Sequence, residues 1–173
     1  MDLIDAMKER RSVRSYEPDP VPEELLSKVL EAGRIAPSAS NNQPWHFVIV
    51  QDPEKRKVLS EGRYAHFLAQ TPVVIVGCGD TAKAPRWHMV DVTIALQQMV
   101  LAATNEGLGT CWIGSFDEDG VKKCLGVPEG WKVVAMLALG YPRKKLDLGA
   151  ALIRSKNRKP LEDITSRDEF GKR

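Results

Sequence analysis

His88-Met89-Val90-Asp91-Val92-Thr93-Ile94-Ala95-Leu96-Gln97-Gln98-Met99-Val100-Leu101-Ala102-Ala103-Thr104-Asn105 is the stretch that settles the architecture. Val92, Ala95, Leu96, Met99, Val100 and Ala103 recur at helical spacing and cover much of the circumference. A helix apolar nearly all round belongs at the centre of a domain or in a subunit interface. Gly107-Leu108-Gly109 stops it. Beyond it, Thr110 to Ile113 reads as a strand closed by Gly114, Asp117 to Leu125 as a short helix stopped by Gly126, and Lys132 to Leu139 as a last strand. Before it, Val73 to Val76 is a buried strand by its unbroken apolar character. Short helices are expected at Pro53–Leu59 and Tyr64–Ala69, and a strand at His46–Val50. A helix opening at Pro22 carries Leu25, Leu26, Val29 and Leu30 on one face and ends before Pro37. Asp2 caps a first helix with Leu3, Ile4 and Met7 on one face, which fades near Arg11. Strands and helices mix without strict alternation, so the fold class is α+β.

The 173 residues fit one domain spanning 1–173. After Tyr141-Pro142 the chain turns charged, and residues 143–173 hold too few apolar anchors for a core of their own. That segment is either floppy or an arm laid on another surface. A hydrophobic content of 43% and a net charge of +2 describe an ordinary soluble protein and argue against a nucleic-acid partner. Cys78, Cys111 and Cys124 are odd in number and none pair at metal spacing, as reduced thiols of a cytoplasmic protein would be. Met1-Asp2-Leu3-Ile4-Asp5 lacks the basic-then-apolar pattern of a signal peptide, and no apolar run is long enough to span a membrane.

Two motifs carry chemistry. Arg10-Arg11-Ser12-Val13-Arg14 packs three guanidiniums and a hydroxyl into five positions. A solvated basic helix end is the ordinary explanation; a bidentate grip on a phosphate is the functional one. Ser38-Ala39-Ser40-Asn41-Asn42-Gln43-Pro44-Trp45 is a loop dense in side chains that both donate and accept hydrogen bonds. Capped-loop chemistry is the ordinary alternative there. Together the motifs suggest a phosphorylated, ring-bearing cofactor. Gly77-x-Gly79-x-x-Ala82 imitates a dinucleotide fingerprint, but Pro85 breaks the helix it should open. His46, His66 and His88 have no metal-spaced partners, and no nucleophile elbow is present.

RRSVRSY at 10–16, APSASNNQPWHFVIV at 36–50, TPVVIVG at 71–77, NEGLGTCWIG at 105–114, VVAMLALGYP at 133–142 and NRKPLED at 157–163 follow one another along nearly the whole chain. In that order they resemble the FMN-dependent nitroreductase family. The resemblance implies a four- or five-stranded mixed sheet flanked by helices, and a homodimer with two flavins at its interface. The C-terminal arm would extend onto the partner subunit. It implies that Arg10, Ser12 and Arg14 hold the FMN phosphate and ribityl oxygens, with Arg11 contributing partly through its backbone. Ser38, Ala39, Ser40 and Asn42 would reach the flavin from the other subunit. Gly114 and Ser115 would bring a backbone N–H to the N5 edge, and Arg63 and His66 would lie on the pyrimidine side. Lys156 and Arg158 would close over the phosphate. The implied activity is ping-pong reduction of nitroaromatic, quinone-like or related small acceptors by NAD(P)H, the flavin doing the organic chemistry. No acid–base side chain stands out, so no catalytic residue is assigned. The helical pair that shapes the substrate mouth in longer members is reduced between Gly79 and His88, which leaves the substrate class open. A specialised relative (flavin cleavage, dehalogenation or enone reduction), a non-catalytic flavin carrier and a basic module without cofactor are the alternatives.

Overall fold

The computed structural model describes residues 1–143 and 158–172. Its contacts separate Met1–Arg143 from Lys144–Arg173. The first unit is built on strands β1 (Trp45–Val50), β2 (Val73–Asp80), β3 (Gly109–Ile113) and β4 (Trp131–Gly140), in the spatial order β1-β2-β4-β3. Every pair of neighbouring strands is antiparallel. Among the described residues the parallel component of the sheet is one isolated bridge, Ser12 to Thr110. Helices α1 (Leu3–Glu9), α2 (Glu23–Arg34), α3 (Pro53–Leu59), α4 (His88–Asn105) and α5 (Glu118–Leu125) complete the α+β unit.

The central strands β2 and β4 are buried on both faces. Successive strand side chains point to opposite faces, so each strand feeds two cores. Val73, Ile75, Leu137 and Leu139 pack with Val29 of α2 and Val92, Leu96, Met99 and Val100 of α4. Val74, Val76, Met136 and Ala138 pack with Leu59 of α3, Val121 of α5, Leu68 and Tyr16. Burying a side chain such as Leu96 or Ile75 fully contributes about 1.5–3 kcal/mol. This explains the all-round apolar character of α4, which covers one face of the sheet while also packing against α1 and α2.

Local chemistry accounts for most element ends. Asp2 Oδ1 accepts from the Ile4 N–H at 2.7 Å and opens α1. Asp52 Oδ1 accepts from the Lys55 N–H at 2.8 Å, with Pro53 in the first turn of α3. Pro22 precedes α2, and Glu23 and Glu24 sit at its positive end.

Three local expectations change, and one turn is new. The helix expected at Tyr64–Ala69 is a 3-10 turn, His66–Gln70. β2 runs four residues past Val76, so Gly77 and Gly79 lie within a strand and open no phosphate-binding turn. Residues 81–87 form a turn whose start is fixed by Asp80 Oδ1, which accepts from the Ala82 and Lys83 N–H groups at 2.9 Å. Finally, the apolar face of α1 is not buried within the chain. Leu3 is 61% exposed, and Ile4 and Met7 are exposed too; Ala6 is the residue α1 buries. Trp87, Met89 and Val90 at the start of α4 are likewise exposed.

In the second unit, residues 158–172 hold a 3-10 turn at Leu161–Asp163 and an ion pair between Lys172 and Glu169 at 2.6 Å. Among the described residues no helix is long and apolar enough to cross a membrane, and no group of side chains is arranged to hold a metal.

Candidate functional site

α1 ends at Glu9, and Arg10 to Arg14 continue as extended chain rather than as the last turn of a helix. The segment runs along the open edge of β3: Ser12 bridges Thr110 in parallel, and the Val13 N–H donates to the Thr110 carbonyl at 2.8 Å. It is then tied to the chain leaving β4, where the Glu17 N–H donates to the Tyr141 carbonyl at 2.9 Å and the Arg143 N–H to the Ser15 carbonyl at 3.0 Å. Tyr16 is buried beneath and its hydroxyl donates to the Val13 carbonyl at 2.6 Å. Residues two apart in extended chain share a face. That period places Arg10, Ser12 and Arg14 together and sends Val13 the other way, into the protein.

Gly109 makes the close approach possible. A Cβ there would stand 2.7 Å from Val13 Cγ2 and 3.0 Å from Val13 Cβ. Arg11 leaves the strip: its Nη1 donates to the Lys8 carbonyl and, at 2.8 Å, to the Arg10 carbonyl, so its side chain caps the end of α1.

The electrostatics record the convergence of the other two. Burial pushes the Cys111 thiol of β3 above its usual range, and the Arg14 and Arg10 guanidiniums both pull it back. Neither guanidinium has an ion pair or side-chain hydrogen bond among the described residues. Arg14, Ser12 and the outer part of Arg10 face solvent. Two unpaired cations and a hydroxyl thus stand on one edge, a donor set of the kind that suits an anion.

The strip runs parallel to β3 and so points towards Gly114 and Ser115, which are exposed just past the strand end. Arg63 and His66 are exposed nearby in sequence to Gly62, whose Cβ position is 2.7 Å from the Ser115 carbonyl. That contact brings the 62–66 segment against the Gly114-Ser115 turn. Arg63 stacks over Tyr64 at 5.3 Å from the ring centre.

The Ser38–Gln43 loop is elsewhere. It leads into β1, the opposite edge of the sheet. Four strand spacings separate β1 from the arginine segment, about 19 Å. The loop is held in a left-handed conformation at three residues that are not glycine, with φ of 51° at Ser40, 54° at Asn41 and 46° at Gln43. Ser38 Oγ accepts from the Gln43 N–H at 2.8 Å, and Asn41 Oδ1 accepts from Gln43 Nε2 at 3.0 Å. The Asn42 N–H donates to the Ala39 carbonyl at 3.0 Å. Asp91 of α4 ties the loop down, its Oδ1 accepting from the Ala39 N–H at 3.1 Å.

The structure thus brings Arg10, Ser12 and Arg14 together along β3, and sets Gly62, the neighbour of Arg63, against Ser115 beyond its end. Ser38, Ala39, Ser40 and Asn42 lie on the far edge. Arg158 precedes the turn of the second unit, and Lys156 lies outside the described residues. Sequence reasoning missed Thr110, Gly109 and Asp91. Asp91 carries the one visible signal, the lone carboxylate of α4.

A cavity of about 570 Å³ is lined by Tyr16, Pro18, Gln51, Arg56, Gln70 and Arg143 among others, and by none of Arg10, Ser12 and Arg14. The Arg56 guanidinium is committed to the Thr71 carbonyl and Arg143 to Glu17, so it lacks the free cations found along β3.

The antiparallel sheet under α4, with a positively charged strip on its β3 edge, defines a small α+β domain. The sequence model of the nitroreductase family matches residues 7–65 and 59–141, and this chain belongs to that family. A relative from Methanothermobacter thermautotrophicus, whose name pairs NADH dehydrogenase with NAD(P)H nitroreductase, is 38% identical over 149 residues, covering 82% of this chain and 78% of its own. The crystal structure of a nitroreductase family protein from Clostridium difficile 630 superimposes with a TM-score of 0.85 at 28% identity, covering 98% of this chain and all of that one. An FMN-dependent nitroreductase from Clostridium difficile R20291 gives a TM-score of 0.78 at 32% identity over 82% of this chain and 88% of that one.

Proposed function

We propose that this protein is an FMN-dependent oxidoreductase that uses NAD(P)H to reduce nitroaromatic, quinone-like or related electron-poor acceptors. The observation that carries the reading is the strip along β3: two unpaired guanidiniums and the Ser12 hydroxyl on one face. Its chemistry fits a phosphate monoester, since planar guanidiniums bind phosphate through paired N–H groups. Arg10, Ser12 and Arg14 would hold the phosphate end of FMN, and the exposed Gly114-Ser115 backbone would face its ring. Bound there, FMN would supply the two-electron redox chemistry of a ping-pong cycle between NAD(P)H and the acceptor.

The chain's own part is electrostatic and geometric. Arg10 and Arg14 neutralise the phosphate and fix its register along β3. Backbone N–H groups beyond β3 offer donors where negative charge develops on the ring. Arg63 and His66 flank that end. No side chain is assigned to proton transfer.

A homodimer is part of the proposal. Ser38, Ala39, Ser40 and Asn42 stand on the opposite sheet edge from the strip, so a loop that contacts the same ring is best supplied by a second copy. The exposed apolar residues Leu3, Ile4 and Met7 of α1 and Trp87, Met89 and Val90 at the start of α4 are a face that a second copy would cover. Residues 143–173 are proposed to be the arm that reaches that copy, with Lys156 and Arg158 bringing further positive charge to the phosphate.

The experiment is direct. Purified protein should be yellow, with absorbance bands near the flavin maxima, and should oxidise NADH or NADPH on addition of a nitroaromatic or quinone. Colourless protein that gains no FMN on titration contradicts the cofactor assignment. Yellow protein that oxidises neither nicotinamide contradicts the activity and leaves a flavin carrier.

A further inference from the structure

Asp91 is 2% exposed and sits in the first turn of α4, in a helix whose other buried positions are, His88 apart, apolar. It does not cap its own helix. A buried carboxylate is costly unless it is hydrogen-bonded, and an apolar side chain would extend the core there. Its Oδ1 instead leaves the helix to accept the Ala39 N–H at 3.1 Å. Its Oδ2 is buried and has no partner among the described residues. The bond falls at the entrance to the left-handed residues Ser40, Asn41 and Gln43, a conformation that non-glycine residues hold only when their surroundings impose it.

We infer that Asp91 is a positioning residue: through the Ala39 N–H it fixes the strained Ser38–Gln43 loop in the shape that meets the cofactor ring. This rests on the cofactor reading proposed above. The buried carboxylate serves the loop rather than the core, and the loop's shape follows from α4 as much as from its own residues.

Two variants isolate the bond. Asp91→Ala removes the acceptor. Ala39→Pro removes the donor alone, and the backbone already suits it: Ser38 is extended at φ −140° and ψ 156°, as a residue before proline requires, and Ala39 opens a helical turn. FMN affinity is read by quenching of flavin fluorescence, and kcat and KM by NADH oxidation. Each single variant is expected to weaken FMN binding about tenfold. The double variant should be no weaker than either single one, because both remove the same bond. Asp91→Asn keeps an acceptor and should stay within about threefold of wild type, a rescue that a merely structural role would not produce.

If Asp91→Ala lowers the melting temperature but leaves FMN affinity, kcat and KM unchanged in the folded protein, the inference is overturned. Additive losses in the double variant overturn it as well. Should Asp91→Ala fail to fold, Ala39→Pro decides alone, and unchanged affinity there counts against the inference. Wild-type protein that binds no FMN removes the cofactor reading itself and this inference with it; wild-type binding with indifferent variants removes only the inference.

Discussion

Cys111 and Cys78 report on their surroundings in different ways. Cys111 lies under the Arg14 and Arg10 guanidiniums, which oppose the upward push of burial. Cys78 lies in β2 where burial dominates, with Lys122 too weak to offset it, and its thiol is pushed up to about 11. Cys78 therefore stays protonated in the folded chain at pH values where the unfolded chain has released its proton. A group whose native pKa is raised contributes stability that is complete below the unfolded value and fades as pH climbs to the native one. Stability from Cys78 is thus expected to fall between about pH 9 and about 11, by roughly 2–3 kcal/mol at most, since each tenfold difference in proton affinity between the two states is worth about 1.4 kcal/mol. Urea midpoints measured from pH 8 to 11 should drop more steeply in wild type than in Cys78→Ala. Parallel curves would show that the thiol does not titrate differently in the two states. At this scale the sequence was candid about residue types and silent about environment. Three free cysteines could be counted, but only the fold shows which one sits beneath two cations. Asp91 could be seen as a charge among apolar neighbours, yet nothing near it in sequence names Ala39, 52 positions away, as its partner.

The decisive element is the extended segment from Arg10 to Tyr16. Read as the end of a helix, its arginines would spread around a turn; laid along β3, they alternate onto one face with Ser12 between them. The difference arises because the segment pairs with Thr110 just where the helical pattern fades, near Arg11. Elements with strong local signals came through with their bounds nearly intact. α3 has Asp52 and Pro53 to start it, and α4 has a long periodic stripe. β2 ran longer than its apolar core because Gly77 to Asp80 remain paired with β4 on one side and Gly77 to Gly79 with β1 on the other. The left-handed loop was not foreseeable, since no glycine marks Ser40, Asn41 or Gln43. Gly109 provides the element-scale test. Gly109→Ala would press a Cβ to within 3 Å of Val13 and lift the strip from β3, costing about 1–3 kcal/mol of stability as overpacking does. FMN affinity is expected to fall with it. The pair Gly109→Ala with Val13→Ala should recover most of both losses. Recovery of stability without recovery of affinity would separate the strip's packing from its role in binding.

For the whole molecule, the opposition of the two candidate regions across the sheet is the feature with the widest consequence. About 19 Å lies between β1 and the arginine segment, and the apolar faces of α1 and of the start of α4 are left open. Both fit the proposed dimer, in which each cofactor would be gripped by one chain and faced by the loop of the other. A chain ending at Tyr141 is then expected to lose dimerisation and flavin together, which size-exclusion chromatography with in-line absorbance would show; a truncated protein that elutes as a yellow dimer would show the arm to be dispensable. The α+β class and the layout of strands were legible because hydrophobic periodicity is a property of each segment alone. The arrangement of sites across the sheet was not, because strand order depends on contacts between segments far apart in the chain.

The central claim is that Arg10 and Arg14 converge on one phosphate, and comparing FMN with riboflavin, which lacks that phosphate, tests it most directly. Charge-assisted hydrogen bonds contribute about 1.5–3 kcal/mol each, so wild-type protein should bind FMN on the order of a hundredfold more tightly than riboflavin. Arg10→Ala and Arg14→Ala should each cut that preference about tenfold or more while leaving riboflavin affinity nearly unchanged. An identical preference in all three proteins would contradict the account.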